Sequence, residues 1–363
     1  MKIFDRYIAR QLLGVTALGV MALSALLLLG NLFKELRPLL VENKAPISIV
    51  LEFIFQVIPF SLMFSIPWGF LTAVLLVYGR LASDNELTSM RMSGMSLWRL
   101  SAPAIAIGIA LSGLCYWINI DIAPRAKQSI SELLIKAASI NPKGLLNEGQ
   151  AITKFDNLEI YIDKRVDDVI HGMHIYQKAD DKSPAVAMHS ERVTMDFSPE
   201  KKTLYLHLIN PLITTQEKDS ISQSVTMDEM PLSINLDKSR SRRIKANRFT
   251  NREIREALNT PGYLDKKQTT EFATELPRRA SFSLACIVFA LIGVPLAINT
   301  RRKDTSTGFA LGILIASLYF VALIFADLSR KSDTMLPYIL LWLPNVITIA
   351  VALYLHNQAR HTG

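Results

Sequence analysis

Residues 193–208 read VTMDFSPEKKTLYLHL, and this stretch decides the fold of the middle of the chain. On both sides of the polar segment 198–203, apolar and polar residues alternate. This period of two is typical of β-strands with one buried face. The same alternation recurs at residues 158–163, 173–176 and 232–236. Many short strands with polar turns predict an antiparallel sandwich, jelly roll or open barrel.

Side chains two positions apart on a strand point to the same face of the sheet. The alternation therefore predicts one apolar face on the β domain. Its predicted members are Val193, Met195, Leu204, Leu206, Leu208 and Ile234. The period fits both a closed core and an open groove for lipid, and it does not separate the two.

Six charge-free stretches surround the β region, three before it and three after it. They cover residues 12–33, 53–78, 100–120, 280–300, 305–326 and 334–355. Each is long enough to cross a hydrocarbon core of about 30 Å as a helix. The first is too long for a signal peptide and lacks a cleavage site, so it is expected to remain as a helix.

The predicted fold class is a membrane α-helical protein of six transmembrane helices plus an extracytoplasmic all-β, jelly-roll-like domain between helices 3 and 4. Residues 1–120 would hold helices 1–3 with a short cytoplasmic helix at about 83–94. Residues 121–279 would form the β domain with helical flanks, and residues 280–363 would hold helices 4–6.

Composition agrees with a membrane protein that has a soluble part, because 50% of residues are hydrophobic and 20% are charged. The net charge of +8 indicates topogenic Lys and Arg and attraction to anionic lipid. Nucleic acid is not an expected partner, because the basic residues are not interleaved with aromatic ones. The two cysteines, Cys115 and Cys286, lie in apolar spans and read as small buried side chains.

Basic residues of the short loops predict the orientation. One side would carry Lys2, Arg6, Arg10, Arg80, Arg91, Arg99, Arg301, Arg302, Lys303 and Arg360. The other side would carry Lys34, Arg37, Lys44, Arg330 and Lys331. The richer side is expected to be cytoplasmic, which places both termini in the cytoplasm and the β domain outside.

The charge-free spans argue against an ion-coupled carrier, since such carriers use ionisable groups within the membrane. The chain also lacks a Walker A motif, so ATP hydrolysis is expected only of a partner. No cofactor of the chain itself is predicted, and ATP would be used by the partner. His171 and His174 are a weak metal signal, because side chains three apart on a strand face opposite ways. No catalytic residue and no metal site are predicted. Free energy for transport would have to come from a partner.

The loop at residues 80–99 is the candidate entry point for that energy. Ser83 and Glu86 match a capping box, and Gly94 and Ser96 suit the end of this helix and the start of the next. Glu86 therefore has two interpretations. Its side chain caps the helix, or its carboxylate docks on an ATPase. The candidate coupling residues are Asp84, Glu86, Leu87 and Arg91.

The outer ends of the first and fourth spans are basic. Lys34 and Arg37 follow the first span, and Arg278 and Arg279 precede the fourth. These side chains either extend toward lipid headgroups from the helix ends or form a cationic rim for a phosphorylated lipid.

Several short motifs resemble the LptF/LptG family of permeases across nearly the whole chain. They are FDRYI at 4–8, GRL at 79–81, EL at 86–87, RMSGMS at 91–96, ELPRR at 275–279 and GVPL at 293–296. Each motif is modest by itself, and their order and spacing carry the resemblance, which fits both the F-type and the G-type subunit.

The resemblance implies an inner-membrane heterodimer of paralogous permease subunits, driven by a cytoplasmic ABC ATPase dimer. It implies extraction of lipopolysaccharide from the outer leaflet and its passage along a periplasmic β-jellyroll to a single-span jellyroll bridge protein. Glu86 would match the coupling glutamate. Lys34 and Arg37 would meet lipid phosphates, with Arg278 and Arg279 at the other edge. The first and fourth to sixth spans would line the lipid cavity.

Three other functions compete with this reading. A membrane-tethered scaffold would need no helix that docks an ATPase. A lipid-modifying enzyme would need a nucleophile and base or a metal set, which the sequence does not show. A permease of the same fold for another lipid would share every feature given above.

Overall fold

The computed structural model consists of two compact units, one helical and one built on a β-sheet. Residues 1–30, 55–128 and 246–363 belong to the helical unit, and residues 31–54 and 129–245 to the other. The structure describes residues 3–37, 46–140, 152–155, 158–166, 169–177, 185–198, 203–216, 223–235, 245–264, 266–299, 305–330 and 336–361.

Ten helices are found among these residues. They are α1 (Ile3–Arg37), α2 (Ile47–Ser83), α3 (Glu86–Met92), α4 (Leu97–Trp117), α5 (Ala123–Ile140), α6 (Asn251–Asn259), α7 (Lys266–Ser283), α8 (Ala285–Asn299), α9 (Thr305–Ser329) and α10 (Leu336–His361). A π-helical turn, Ile118–Ile122, joins α4 to α5.

Six helical stretches in the described part of the chain are long and apolar enough to cross a membrane. They are Ile3–Gly30, Ile47–Ser83, Leu97–Leu133, Gln268–Ile298, Ala310–Ser329 and Leu336–Gln358. Each overlaps one predicted charge-free range, so the prediction of six spans is confirmed. The helical stretches run beyond those ranges; 37 residues of helix measure about 55 Å, more than the roughly 30 Å of hydrocarbon. The added turns carry charged side chains.

The fourth span lies at the centre of the helical unit. In its most apolar stretch, 78% of the residues are buried, compared with 11% in the first span. A helix that is apolar on all sides is expected in such a central position. The prediction that the fourth span lines a lipid cavity is therefore wrong for this chain, because its surface is covered by its own neighbours. The exposed apolar surfaces belong mainly to α1, α9 and α10.

A glycine pair brings α1 and α2 together. A Cβ added to Gly69 would lie 2.9 Å from the backbone nitrogen of Val20, and one added to Gly19 would lie 3.3 Å from the Cα of Gly69. Only residues without a side chain permit this approach, which is a common way to pack helices in membranes. Further along, the hydroxyl oxygens of Ser24 and Ser65 are 2.6 Å apart.

The helical unit has two polar ends. At one end, Asp5 of α1 pairs with Arg99 of α4 at 2.8 Å, and His356 of α10 stacks on Trp98 with a ring-centroid distance of 4.3 Å. At the other end, the C-terminal part of α9 meets α7 through Arg330 and Glu275 at 2.7 Å. The helices therefore alternate in direction, as six successive spans require.

Eight strands of the described residues form one antiparallel sheet. They are β1 (Ile152–Phe155), β2 (Leu158–Val166), β3 (Val169–Gln177), β4 (Ala185–Ser198), β5 (Thr203–Ile209), β6 (Leu212–Gln216), β7 (Gln223–Thr226) and β8 (Glu229–Asn235). The order is β1-β2-β3-β4-β5-β8, with β6 on β4 and β7 on β6.

The long strand β4 explains this branching. Its residues 192–198 pair with β5, and its residues 185–189 pair with β6. Strands β5 and β6 thus follow one another along the same edge, separated by a bend at Asn210 and Pro211. Asn210 has φ +50°, and proline has no N–H for the ladder. Strands β8 and β7 repeat this arrangement one position further out.

Strands β5 and β6 together act as one bent strand, and so do β7 and β8. Counted in this way, the described strands form a bent meander in which each strand pairs with the next one in sequence. The structure confirms an antiparallel β region in the middle of the chain. A jelly roll also needs Greek-key connections, and the pairings between the described strands contain none. Closure into a jelly roll therefore stays a prediction.

One face of the sheet forms a compact apolar core. Val193, Leu204, Leu206, Leu208 and Ile234 are buried in it, and Met195 packs at its edge. The structure thus places all six predicted face residues on the same side. Of the residues that flank the sheet, 121–128 and 246–279 belong to the helical unit.

The replacement Leu206→Asp should unfold the sheet. Leu206 is 0% exposed, and an unpaired carboxylate there should cost at least about 3 kcal/mol. His207→Asp is the matched control, because His207 is exposed on the same strand. The rate of proteolysis of the full-length protein in detergent reports the difference. Equal resistance of the two variants to proteolysis would contradict the burial of Leu206.

Candidate functional site

The short helix α3 is the first candidate element. It begins at Glu86, with Asn85 as N-cap residue at φ +61° and without a side-chain cap. The predicted capping box is therefore wrong. Ser83 instead ends α2, and its hydroxyl donates to the Arg80 carbonyl at 2.9 Å. Glu86 lies in the first turn of α3, where a carboxylate interacts favourably with the helix dipole.

One face of α3 is fixed to the helical unit. Leu87 is 1% exposed and belongs to the main apolar core of that unit, and Met90 packs against the same core. Arg91 lies one residue beyond Met90 and is half-buried. Leu87 and Met90 thus lie on the inward face of α3, and helical spacing places Arg91 beside them.

A tight turn couples α3 to α4. Gly94 has φ +85°, and the N–H of Met95 donates to the Met90 carbonyl at 3.2 Å, which closes the end of α3. The Ser96 hydroxyl accepts from the Arg99 N–H and caps α4. The predicted roles of Gly94 and Ser96 are confirmed. A displacement of α3 would pass directly into the third span.

The acidic residues lie on the outer side of this element. Asp84 is exposed, and Glu86 is half-buried. The Tyr7 hydroxyl lies 3.5 Å from Glu86 Oε2, a long contact that leaves the carboxylate able to accept other donors. The geometry therefore combines an apolar anchor on one side with carboxylates on the other.

The second candidate element is a charged cluster at the opposite end of the helical unit. Its centre is Glu275, which is 1% exposed. Glu275 Oε1 accepts from Arg278 Nη2 at 2.8 Å and from Arg279 Nε at 3.1 Å. Glu275 Oε2 accepts from Arg278 Nε at 3.0 Å and lies 2.7 Å from Arg330 Nη2. One carboxylate thus neutralises part of the charge of three arginines.

Arg279 also binds the segment that precedes α6. It is 2% exposed, and it donates to Asn251 Oδ1 at 2.8 Å and to the Phe249 carbonyl at 2.7 Å. These bonds hold the segment 246–251 against α7. Arg279 was predicted to contact substrate, but protein groups occupy its donors in this structure.

Arg278 is more open than Arg279. Its side chain is 22% exposed, and its forked bond to Glu275 fixes the guanidinium. Nearby, Lys127 lies 5.0 Å above the ring of Phe60. Lys34 and Arg37 are in the last turns of α1. Their side chains lie outside the described residues, so their predicted phosphate contacts stay predictions.

Sequence reasoning missed Glu275 and Arg330. Glu275 could have been found, because it precedes Arg278 and Arg279 by three and four positions on one helix. Arg330 comes from a different span, and no local pattern links it to Glu275. Among the described residues there is no group of three His, Cys, Asp or Glu side chains that could hold a metal ion.

These features define a multi-pass membrane protein with an inserted antiparallel sheet and a short anchored helix between its second and third spans. The LptF/LptG family, described as "Lipopolysaccharide export system permease LptF/LptG", matches residues 6–358. The chain belongs to this family, which makes it a multi-pass inner-membrane protein.

The chain is also similar to "Uncharacterized protein RP871" of Rickettsia prowazekii (strain Madrid E). The two are 21% identical over 189 residues, which is 51% of this chain and 51% of the relative. The chain thus spans about half the length of that relative.

The replacement Glu275→Gln should strongly destabilise the helical unit. It leaves three arginines without their shared counter-charge, and breaking a buried ion pair costs about 3–5 kcal/mol. Asp327→Asn is the control, because Asp327 also bonds Arg330 but is 54% exposed. Thermal unfolding in detergent measures both. A Glu275→Gln protein as stable as Asp327→Asn would contradict a structural role for the cluster.

Proposed function

We propose that this chain is a permease subunit of an ATP-driven lipopolysaccharide export complex, with α3 as the element that receives force. The observation that carries the proposal is the structure of α3. Its Leu87 is buried in the helical core, while Asp84 and Glu86 remain on the outer side. Family membership supports the class of cargo.

The spans themselves offer no means to use an ion gradient. In the six described spans the charged residues lie toward the ends, and the stretches between them are apolar. Charges in the hydrocarbon are costly and are kept where a mechanism needs them. A cytoplasmic ATPase dimer that docks on α3 supplies the free energy in this proposal.

The cargo would meet apolar helix surfaces. On α9 an exposed stripe follows helical spacing of three and four residues: Leu311, Leu314, Leu318, Val321, Phe325 and Leu328. On α1 the exposed residues include Leu18, Met21, Leu26 and Leu29. Acyl chains or the paralogous subunit of a heterodimer would cover both surfaces. Large exposed apolar surfaces of this kind suit lipid and protein neighbours in a membrane.

Lys34 and Arg37 would bind lipid phosphates in this proposal, and so would Arg278 with Arg279, which share the carboxylate of Glu275. Arginine suits this task because its guanidinium binds phosphate in a forked geometry. The β domain lies in the periplasm in this proposal, with both termini in the cytoplasm. It would pass lipid to a single-span jelly-roll bridge protein.

The apolar face of the sheet is closed in this structure, because Leu204, Leu206 and Leu208 are 0% exposed. Acyl chains would enter along its edge, where Met195, Met230 and Leu232 are only partly buried. Two of these are methionines, whose flexible side chains adapt to irregular partners. The sheet would have to open for lipid to reach its centre.

The replacement Glu86→Ala should uncouple ATP hydrolysis from lipid release. A charge-assisted hydrogen bond contributes about 1.5–3 kcal/mol, so release should fall at least about tenfold. The measurement is ATP-dependent release of lipopolysaccharide from proteoliposomes that contain the purified complex. Glu256→Ala removes the same charge from the exposed helix α6 and serves as control. Full release with Glu86→Ala, in a complex of normal composition, would remove the proposed role.

The double replacement of Lys34 and Arg37 by Asp should reduce loading of the cargo. Reversing two charges at a phosphate site should lower photo-crosslinking to lipopolysaccharide by at least about tenfold. Arg252 and Arg255 of α6, replaced together by Asp, provide the charge-matched control. Crosslinking at the parental level would show that the rim does not bind phosphate.

A further inference from the structure

A groove lies between the beginning of α1 and the end of α2. The function proposed above uses Leu18 and Met21 of its lining as part of the apolar surface of α1, but it gives no role to the arginines of the groove. Its volume is about 1270 Å³. Pockets for small molecules measure about 300–1,000 Å³, so this groove suits a long occupant. All its lining residues belong to the helical unit.

Three arginines converge at one end of the groove. Arg6 and Arg10 are one helical turn apart on α1, and Arg80 approaches from α2. Arg80 Nη2 donates to Gln11 Oε1 at 2.7 Å, which directs this guanidinium toward α1. Within the described part of the chain, neither Arg6 nor Arg10 forms an ion pair with a carboxylate. Like charges this close repel one another, so an anion among them would be stabilised.

The other end of the groove is apolar. Leu18, Met21 and Leu76 line it and are exposed. Between the two ends lies Gly14, where an added Cβ would have no atom within 4 Å. The missing side chain leaves an open passage from the arginines to the leucines.

The length of the groove matches one leaflet of a bilayer. From Arg6 to Met21, α1 rises about 22 Å at about 1.5 Å per residue. Half of a hydrocarbon core of about 30 Å plus one headgroup layer gives roughly 20 Å. The arginines thus lie at headgroup depth, and Leu18 and Met21 lie at acyl-chain depth.

We propose that this groove binds one anionic glycerophospholipid from the leaflet in which α1 begins. Its phosphodiester lies among Arg6, Arg10 and Arg80, and one acyl chain passes Gly14 and lies along Leu18 and Leu76. This lipid is a bound component of the protein and is distinct from the exported cargo. A test of this lipid site therefore does not depend on the transport function.

Topogenic charge alone does not account for this arrangement. Residues that set orientation need only lie on one side of the membrane. Here residues from two helices, separated by 70 positions in sequence between Arg10 and Arg80, meet at one open groove. Guanidinium groups also bind phosphate oxygens in pairs, which favours a phosphodiester over other anions.

The groove is next to α3. Tyr7 lines it, and the Tyr7 hydroxyl lies 3.5 Å from Glu86 Oε2. A lipid bound in the groove would contact Tyr7, which in turn contacts Glu86 in the first turn of α3.

Native mass spectrometry of the full-length protein tests the proposal. The protein is reconstituted in nanodiscs of equal parts phosphatidylcholine and phosphatidylglycerol, and the lipid retained after release is identified and titrated. The wild type should retain one phosphatidylglycerol in preference to phosphatidylcholine. Replacing Arg6 and Arg10 together by Gln should weaken retention about 30-fold, since each basic residue near anionic lipid contributes about a factor of five.

Two controls separate the groove from general effects. Replacing Arg252 and Arg255 together by Gln removes the same charge from α6 and should leave retention unchanged. Gly14→Leu should block the acyl passage without changing charge, whereas Gly113→Leu fills similarly open space on α4 and should have no effect. If the arginine variant does not fold, lipid retention by Gly14→Leu is compared with retention by Gly113→Leu, and this comparison tests the site.

Two results would overturn the proposal. One is equal retention of the two lipids by the wild type. The other is retention by the Arg6 and Arg10 variant, or by Gly14→Leu, at the level of its control. In a purified complex, loss of a protein subunit from those variants with phosphatidylglycerol still retained would show that the groove is a protein interface and that this lipid binds elsewhere.

Discussion

The cost of placing charge in hydrocarbon is the constraint on which the rest of the structure depends. It leaves the middle of the six spans apolar and collects the ionisable side chains at two ends of the helical unit. Asp5, Arg99 and Glu86 lie at one end, and Glu275 with its arginines lies at the other. Helices of this composition offer apolar surfaces to lipid and to neighbouring helices. Because the middle of the spans is apolar, we propose that a partner ATPase supplies the free energy for transport.

The two ends are fixed by different means. At the first, an apolar side chain, Leu87, anchors a short helix, and a tight turn at Gly94 continues it into the third span. At the second, one buried carboxylate gathers arginines from two spans and so ties α7 to the end of α9. In the proposed function, these connections would transmit a displacement of α3 to the helices that follow it. The central position of the fourth span gives those movements a common support.

Local patterns in the sequence predicted much of this. Six apolar stretches gave the spans, alternation gave the buried face of the sheet, and Gly94 and Ser96 marked a helix end and start. The features that escaped depend on distant or competing contacts. Ser83 bonds back to α2, so the capping box did not form. Arg330 reaches Glu275 across 55 positions, and the bend that divides β5 from β6 depends on how β4 pairs. The burial of Arg279 likewise depends on residues 246–251.

The account requires α3 and the sheet to lie on opposite sides of the inner membrane. Single cysteines at the exposed positions Met92 and His207, in a protein whose Cys115 and Cys286 are replaced by serine, can be tested with a membrane-impermeant maleimide in spheroplasts. The account predicts labelling at position 207 in intact spheroplasts and at position 92 only after permeabilisation. Labelling at position 92 of intact spheroplasts, or protection at position 207, would contradict it.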